Sequence, residues 1–89
     1  MIMHREKNDI IILILDGAKT PQTLSALSKK INLNLIHSKR YVDALSEAKY
    51  LDEIQVSGKL QYQVNVEGID FLRDLRDSAK GLERFNKYW

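Results

Sequence analysis

The chain has 89 residues, of which 44% are hydrophobic and 29% charged, and no cysteine. That length holds one core, and the composition fits a folded domain, so a multidomain enzyme with its own cofactor domain, a disulfide scaffold and a Cys-based zinc site are all excluded. The formal charge is +2, from 14 basic and 12 acidic residues, and residues 19–51 hold the excess: Lys19, Lys29, Lys30, Lys39, Arg40 and Lys49 against Asp43 and Glu47. A basic central segment is either a solvated face or a modest footprint for a polyanion.

The first element spans residues 5 to about 16. Its centre, Ile10 to Leu15, is a continuous apolar run of six. Such a run suits a buried strand or a buried helix. The polar lead-in and the stop at Asp16-Gly17, with no matching strand behind it, favour a helix capped by glycine. Six apolar residues fall far short of the roughly 20 that span a bilayer. The first residues lack the long apolar stretch and cleavage site of a signal peptide. The expected location is cytoplasmic, with no membrane partner.

A second helix is expected from Thr20 as cap and Pro21 at the first helical position. Leu24, Leu27 and Ile31 follow at helical spacing, and Lys29 and Lys30 lie near its end, where cations complement the helix dipole. Asn32-Leu33-Asn34 forms a short turn. Asn34 then caps a third helix reaching about Tyr50, with Leu35, Ser38, Val42 and Leu45 as its inward stripe. Its outward face shows Ile36, His37, Lys39, Arg40, Asp43 and Glu47, basic residues first and acidic ones later. Ile54 and Val56, then Leu60, Tyr62, Val64 and Val66, alternate with polar residues around Ser57-Gly58-Lys59. That is a hairpin with a glycine turn. Asn65 caps a last helix running from about Val66 to Tyr88. Ile69, Leu72 and Ala79 suit packing on the body. Phe71, Leu75, Ser78, Leu82, Phe85 and Trp89 recur at spacings of four and three, like a coiled-coil seam.

Three helices, a hairpin and a closing helix make the winged helix-turn-helix plan, a mostly helical α+β fold. The chain is then one domain, with a body over about 5–66 and a dimerisation helix over about 66–88. Asn32-Leu33-Asn34-Leu35-Ile36-His37-Ser38-Lys39-Arg40-Tyr41-Val42-Asp43-Ala44-Leu45 resembles the turn and recognition helix of small archaeal winged-helix DNA-binding proteins, relatives of MarR- and PadR-type regulators. Asn65-Val66-Glu67-Gly68-Ile69-Asp70-Phe71-Leu72 is similar to the family's T-E-K-G-x-x-F-L start of the last helix, with Asn65 in place of threonine. The resemblance covers about residues 8–80. Two departures stand out: Lys49 occupies the place of a usual glycine before the wing, and Lys59 is the wing's single basic residue.

The expected function is sequence-specific duplex DNA binding by a homodimeric transcriptional regulator, with the recognition helix over about 34–50 in the major groove. The first turns of a recognition helix reach base edges in the major groove. Lys39 and Arg40 are the leading groove contacts, with Asn34, Ile36 and His37 beside them; Arg40 suits guanine or a phosphate. Thr20, Gln22, Lys29 and Lys30 are expected phosphate contacts from the second helix, and Lys59 from the wing tip. Phe71, Leu75, Leu82, Phe85, Tyr88 and Trp89 are the expected dimer interface, since large exposed aromatics mark interfaces. A sequence-independent architectural DNA coat and a protein-docking winged helix are the alternatives. No enzyme is expected. His4 and His37 stand apart, and Asp70, Asp74 and Asp77 alternate with Arg73 and Arg76 as intrahelical ion pairs do. No metal or cofactor is implied, and no residue points to a small-molecule effector, although the resemblance leaves room for one.

Overall fold

The computed structural model describes residues 7–77. Helix α1 spans Lys7–Gly17, α2 Leu24–Ile31, α3 Leu35–Glu47 and α4 Val66–Asp77, and strands β1 (Leu51–Val56) and β2 (Lys59–Val64) lie between α3 and α4. The apolar run of α1 is helical and buries Ile10, Ile11, Ile14 and Leu15, a spacing that fits one helix face. Leu27, Ile31, Val42, Leu45, Leu51, Tyr62, Phe71, Leu72 and Leu75 complete a single core.

The chain between α1 and α2 departs from the sequence expectation. Thr23, not Thr20, caps α2, its side-chain oxygen accepting the Ala26 N–H at 3.1 Å. Residues 20–22 stay outside the helix, and Gln22 pairs with Tyr62 of β2. The Gln22 N–H donates to the Tyr62 carbonyl at 3.0 Å and the Tyr62 N–H donates back at 2.7 Å. Pro21 therefore precedes the helix instead of starting it.

Two asparagine caps stand as expected. Asn34 Oδ1 accepts the His37 N–H at 2.9 Å. Asn65 Oδ1 accepts the Gly68 N–H at 2.8 Å. The Asn65 amide also donates to the Lys49 carbonyl at 2.8 Å and to Asp52 Oδ1 at 3.0 Å. A capping threonine has no amide with which to make those two bonds.

Helix α3 stops at Glu47, short of Tyr50. Lys49 has φ 71°, and the Tyr50 N–H turns back to the Leu45 carbonyl at 3.0 Å. This is the left-handed closing residue of a helix, a position that favours glycine. A side chain there costs about 1–2 kcal/mol, partly offset by the greater entropy glycine loses on folding. Lys49→Gly is expected to stabilise the fold by up to about 1 kcal/mol, or about 4–8 °C in Tm by circular dichroism. An unchanged or lower Tm would show that Lys49 sits there without strain.

The hairpin pairs Leu51 with Val64 through Val56 with Lys59. Its turn is Ser57-Gly58, with φ 52° and 79°. Two left-handed residues make the two-residue turn whose twist matches antiparallel strands.

Two residues of the expected seam on the last helix are covered already in the single chain. Phe71 and Leu75 are buried within this chain, and the Phe71 ring stacks on Tyr50 with centroids 4.3 Å apart and planes 16° from parallel. Both belong to the hydrophobic core of this chain. Ile69, expected on the body, is partly exposed. Ala79, Leu82, Phe85, Tyr88 and Trp89 lie outside the described residues.

Candidate nucleic-acid interface

Helix α3 is anchored on one side and bare on the other. Ser38, Val42 and Leu45 are fully buried, and Ser38 Oγ donates to the Leu33 carbonyl at 3.4 Å. Leu35, expected on that inward stripe, is instead 50% exposed. It lies in the first turn, beyond the reach of the core. Beside it Ile36 is 82% exposed, an unusual place for a branched aliphatic. Asn34, His37, Lys39 and Arg40 are exposed on the same end of the helix. The Asn34 amide and His37 Nδ1 lie 3.3 Å apart, so the cap also positions the imidazole.

Lys39 and Arg40 are neighbours in sequence but face different flanks. Lys39 turns toward the wing, where its ammonium bonds Asp43 at 2.6 Å. That bond, then the Asp43 charge, holds the Lys39 pKa above its ordinary value. Asp43, Ser46, Glu47, Lys49 and Glu53 line the groove between α3 and β1. Its three carboxylates stand against Lys49 and the Asp43-paired Lys39, which leaves this flank slightly acidic. Burial, then Glu53 and Asp43, push the Tyr62 hydroxyl pKa up.

Arg40 turns toward α1. With Ile10, Leu33, His37 and Tyr41 it lines a second cleft, of about 210 Å³. Burial raises the Tyr41 hydroxyl pKa, against the pull of Arg40. Lys7 of α1 stands by the same flank. Burial, then the Arg40 charge, lowers its ammonium pKa. Neither Lys7 nor Tyr41 is a candidate from sequence. Lys7 is 33 positions from Arg40, and only the packing of α1 beside α3 brings the two charges together.

The remaining expected contacts are dispersed. Thr20 and Gln22 are not on α2; Gln22 is held in the bridge to Tyr62, and its side-chain amide donates to Thr20 Oγ1 at 2.9 Å. Lys29 and Lys30 are exposed at the end of α2, and Lys30 Nζ donates to the last carbonyl of α1, Gly17, at 3.3 Å. Lys59 is exposed beside the wing turn.

A capped α2, a short turn, a half-bare α3 and a two-stranded wing are thus in place. A winged helix-turn-helix family model matches residues 4–83. The chain belongs to the winged helix-turn-helix family. Solved winged-helix structures share the fold at low identity. Sso10a-2, a DNA-binding protein from Sulfolobus solfataricus, aligns over 93% of this chain and 87% of its own, with TM-score 0.77 and 16% identity. The transcriptional regulator BldR from the same organism aligns over 82% of this chain and 55% of its own, with TM-score 0.71 and 16% identity. A MarR family protein from Bacillus stearothermophilus aligns over 93% and 58%, with TM-score 0.65 and 12% identity. No curated protein sequence matches this winged helix. No helix among the described residues is long and apolar enough to cross a membrane.

Proposed function

We propose that this winged helix binds duplex DNA as a homodimeric transcriptional regulator, with the first half of α3 in the major groove. The observation that carries the reading is the exposed end of α3. Asn34, Ile36, His37, Lys39 and Arg40 project from a helix whose opposite side is fixed in the core. The groove admits one helix, and polar, cationic and methyl-bearing side chains match what base edges and phosphates offer there. The likeness to Sso10a-2 and BldR, described respectively as a DNA-binding protein and a transcriptional regulator, supports the same reading. The dimer rests on the sequence of residues 82–89, where Leu82, Phe85, Tyr88 and Trp89 would be costly to expose. A two-fold dimer would present its recognition helices to successive major grooves, about 34 Å apart.

The test is fluorescence anisotropy of a labelled duplex at two salt concentrations, with light scattering on the same protein. The expected result is a particle of twice the chain mass whose DNA affinity falls by orders of magnitude between about 50 and 200 mM salt, as counterion release requires. Arg40→Ala should weaken binding by about tenfold or more, the roughly 1–3 kcal/mol of one charged contact. A preference for one duplex over scrambled duplexes separates a regulator from an architectural coat.

The acidic groove between α3 and β1 favours a second reading, a docking module for a basic protein segment. Folded protein that ignores DNA at low salt would select it.

A further inference from the structure

The outward face of α3 has an aliphatic residue at its centre. Ile36 lies about half a turn from Ser38 and about two and a half turns from Leu45, on the side of the helix opposite these two buried residues. Lys39 and Arg40 follow it by three and four residues and stand to either side of it. At 82% exposed, Ile36 gains almost no burial from the fold, and Leu35 beside it is 50% exposed. Two aliphatic side chains fall far short of the roughly 1,000 Å² that holds a protein partner.

A helix laid in the major groove presents the middle of its outward face to the groove floor and its flanks to the phosphates. That floor offers one apolar group, the 5-methyl of thymine; everything else on the base edges donates or accepts hydrogen bonds. Isoleucine against the methyl removes both from water. Against any other edge it strips water from polar atoms and returns no hydrogen bond, which costs free energy. His37 suits the same floor. Asn34 Oδ1 accepts the His37 N–H at 2.9 Å, so the Asn34 amide nitrogen is the group 3.3 Å from Nδ1 and donates to it. The neutral ring then carries its proton on Nε2, a donor for thymine O4 or a purine N7.

We propose that Ile36 sets the base preference of this helix by packing on the 5-methyl group of a thymine. The inference rests on the DNA-binding reading above and names the chemical group that the exposed end of α3 reads.

The experiment starts from the duplex that the full chain enriches out of a randomised pool. It is compared with a copy in which deoxyuridine replaces every thymidine. The copy keeps O4, the pairing and the phosphates, and loses only the methyl groups. Fluorescence anisotropy across a salt series gives the affinity of the parent, Ile36→Ser, Ile36→Val and Leu35→Ala for each duplex. Serine has about the helix propensity of isoleucine, so Ile36→Ser keeps the parent's Tm, which thermal unfolding checks.

The parent is expected to bind the deoxyuridine copy about fourfold more weakly for each chain bound, the worth of one methyl group removed from water. The slope of log affinity against log salt is the same on both duplexes, because the phosphates are the same. Ile36→Ser binds the two duplexes alike. Ile36→Val keeps its branched methyl groups and most of the discrimination, and Leu35→Ala keeps it too. A parent that binds both duplexes equally, with its salt slope intact, overturns the thymine reader and leaves DNA binding standing. A pool from which no duplex is enriched does the same. So does a methyl preference that survives in Ile36→Ser, whether Leu35→Ala removes it or the shape of the duplex carries it. A parent with no salt-dependent binding removes the DNA reading itself, and the reader with it.

Discussion

Phe71→Ala is expected to cost about 3–5 kcal/mol of folding stability, the range for deleting a fully buried aromatic ring. The ring has no exposed surface, so the loss combines transfer free energy with a cavity. The stack on Tyr50 is also lost, worth about 0.5–1.5 kcal/mol beyond area for such a pair. A small domain has only about 5–15 kcal/mol in total. Urea unfolding followed by circular dichroism should therefore show a midpoint far below the parent's. The measurement also separates two positions for Phe71. A residue in a seam between chains would lose more at high protein concentration, because the variant forgoes part of the stability that association adds to the parent by mass action. A core residue loses the same amount at two concentrations about a hundredfold apart. A gap from the parent that widens at the higher concentration would return Phe71 to a dimer interface.

Gly68→Ala is expected to destabilise, against the sign that helix propensity suggests. Gly68 lies in the first turn of α4, where alanine would otherwise gain up to about 1 kcal/mol. A Cβ at this position would sit 2.3 Å from the Tyr50 carbonyl oxygen and 2.5 Å from Val64 Cγ2. The valine methyl can shift, but the carbonyl is backbone and accepts the Asn65 N–H at 3.2 Å. Relief therefore requires α4 to move off the chain before β1. Overpacking of this kind costs about 1–3 kcal/mol and outweighs the propensity gain. A fall of several degrees in Tm is the expected reading. A rise would mean that α4 is not held this closely.

Gly68 also illustrates how far the resemblance reached. The Asn65-Val66-Glu67-Gly68 stretch pointed to the start of a helix in a winged-helix protein, and the helix begins there. Why glycine is required was not legible, because its neighbours, Tyr50 and Val64, come from two other parts of the fold. Lys49 is similar. Its departure from the expected glycine was visible, and only its φ of 71° shows what that departure costs.

The candidate site divides along the same line. That the start of α3 would be polar, cationic and exposed followed from helical periodicity and the Asn34 cap. That Lys39 and Arg40 would part to an acidic and a basic flank did not. Each flank is completed by another element: β1 supplies Glu53 on one side, and α1 supplies Lys7 and Ile10 on the other. The exposure of Leu35 was equally hidden, since its spacing matched the buried stripe and only the edge of the core excluded it.

What the sequence determined by itself was local. The caps at Asn34 and Asn65 and the turn at Ser57-Gly58 depend on hydrogen bonds and φ angles within a few residues, and side-chain chemistry dictates those directly. The order of helices and wing followed from them. The tertiary structure decided what depends on distant partners. Gln22 pairs with Tyr62 while Pro21 stays outside α2, and Phe71 and Leu75 were drawn into the chain's own core instead of an open seam. Periodicity shows that a helix has an apolar face; what covers that face depends on residues tens of positions away, through pairings and burial that no local pattern encodes.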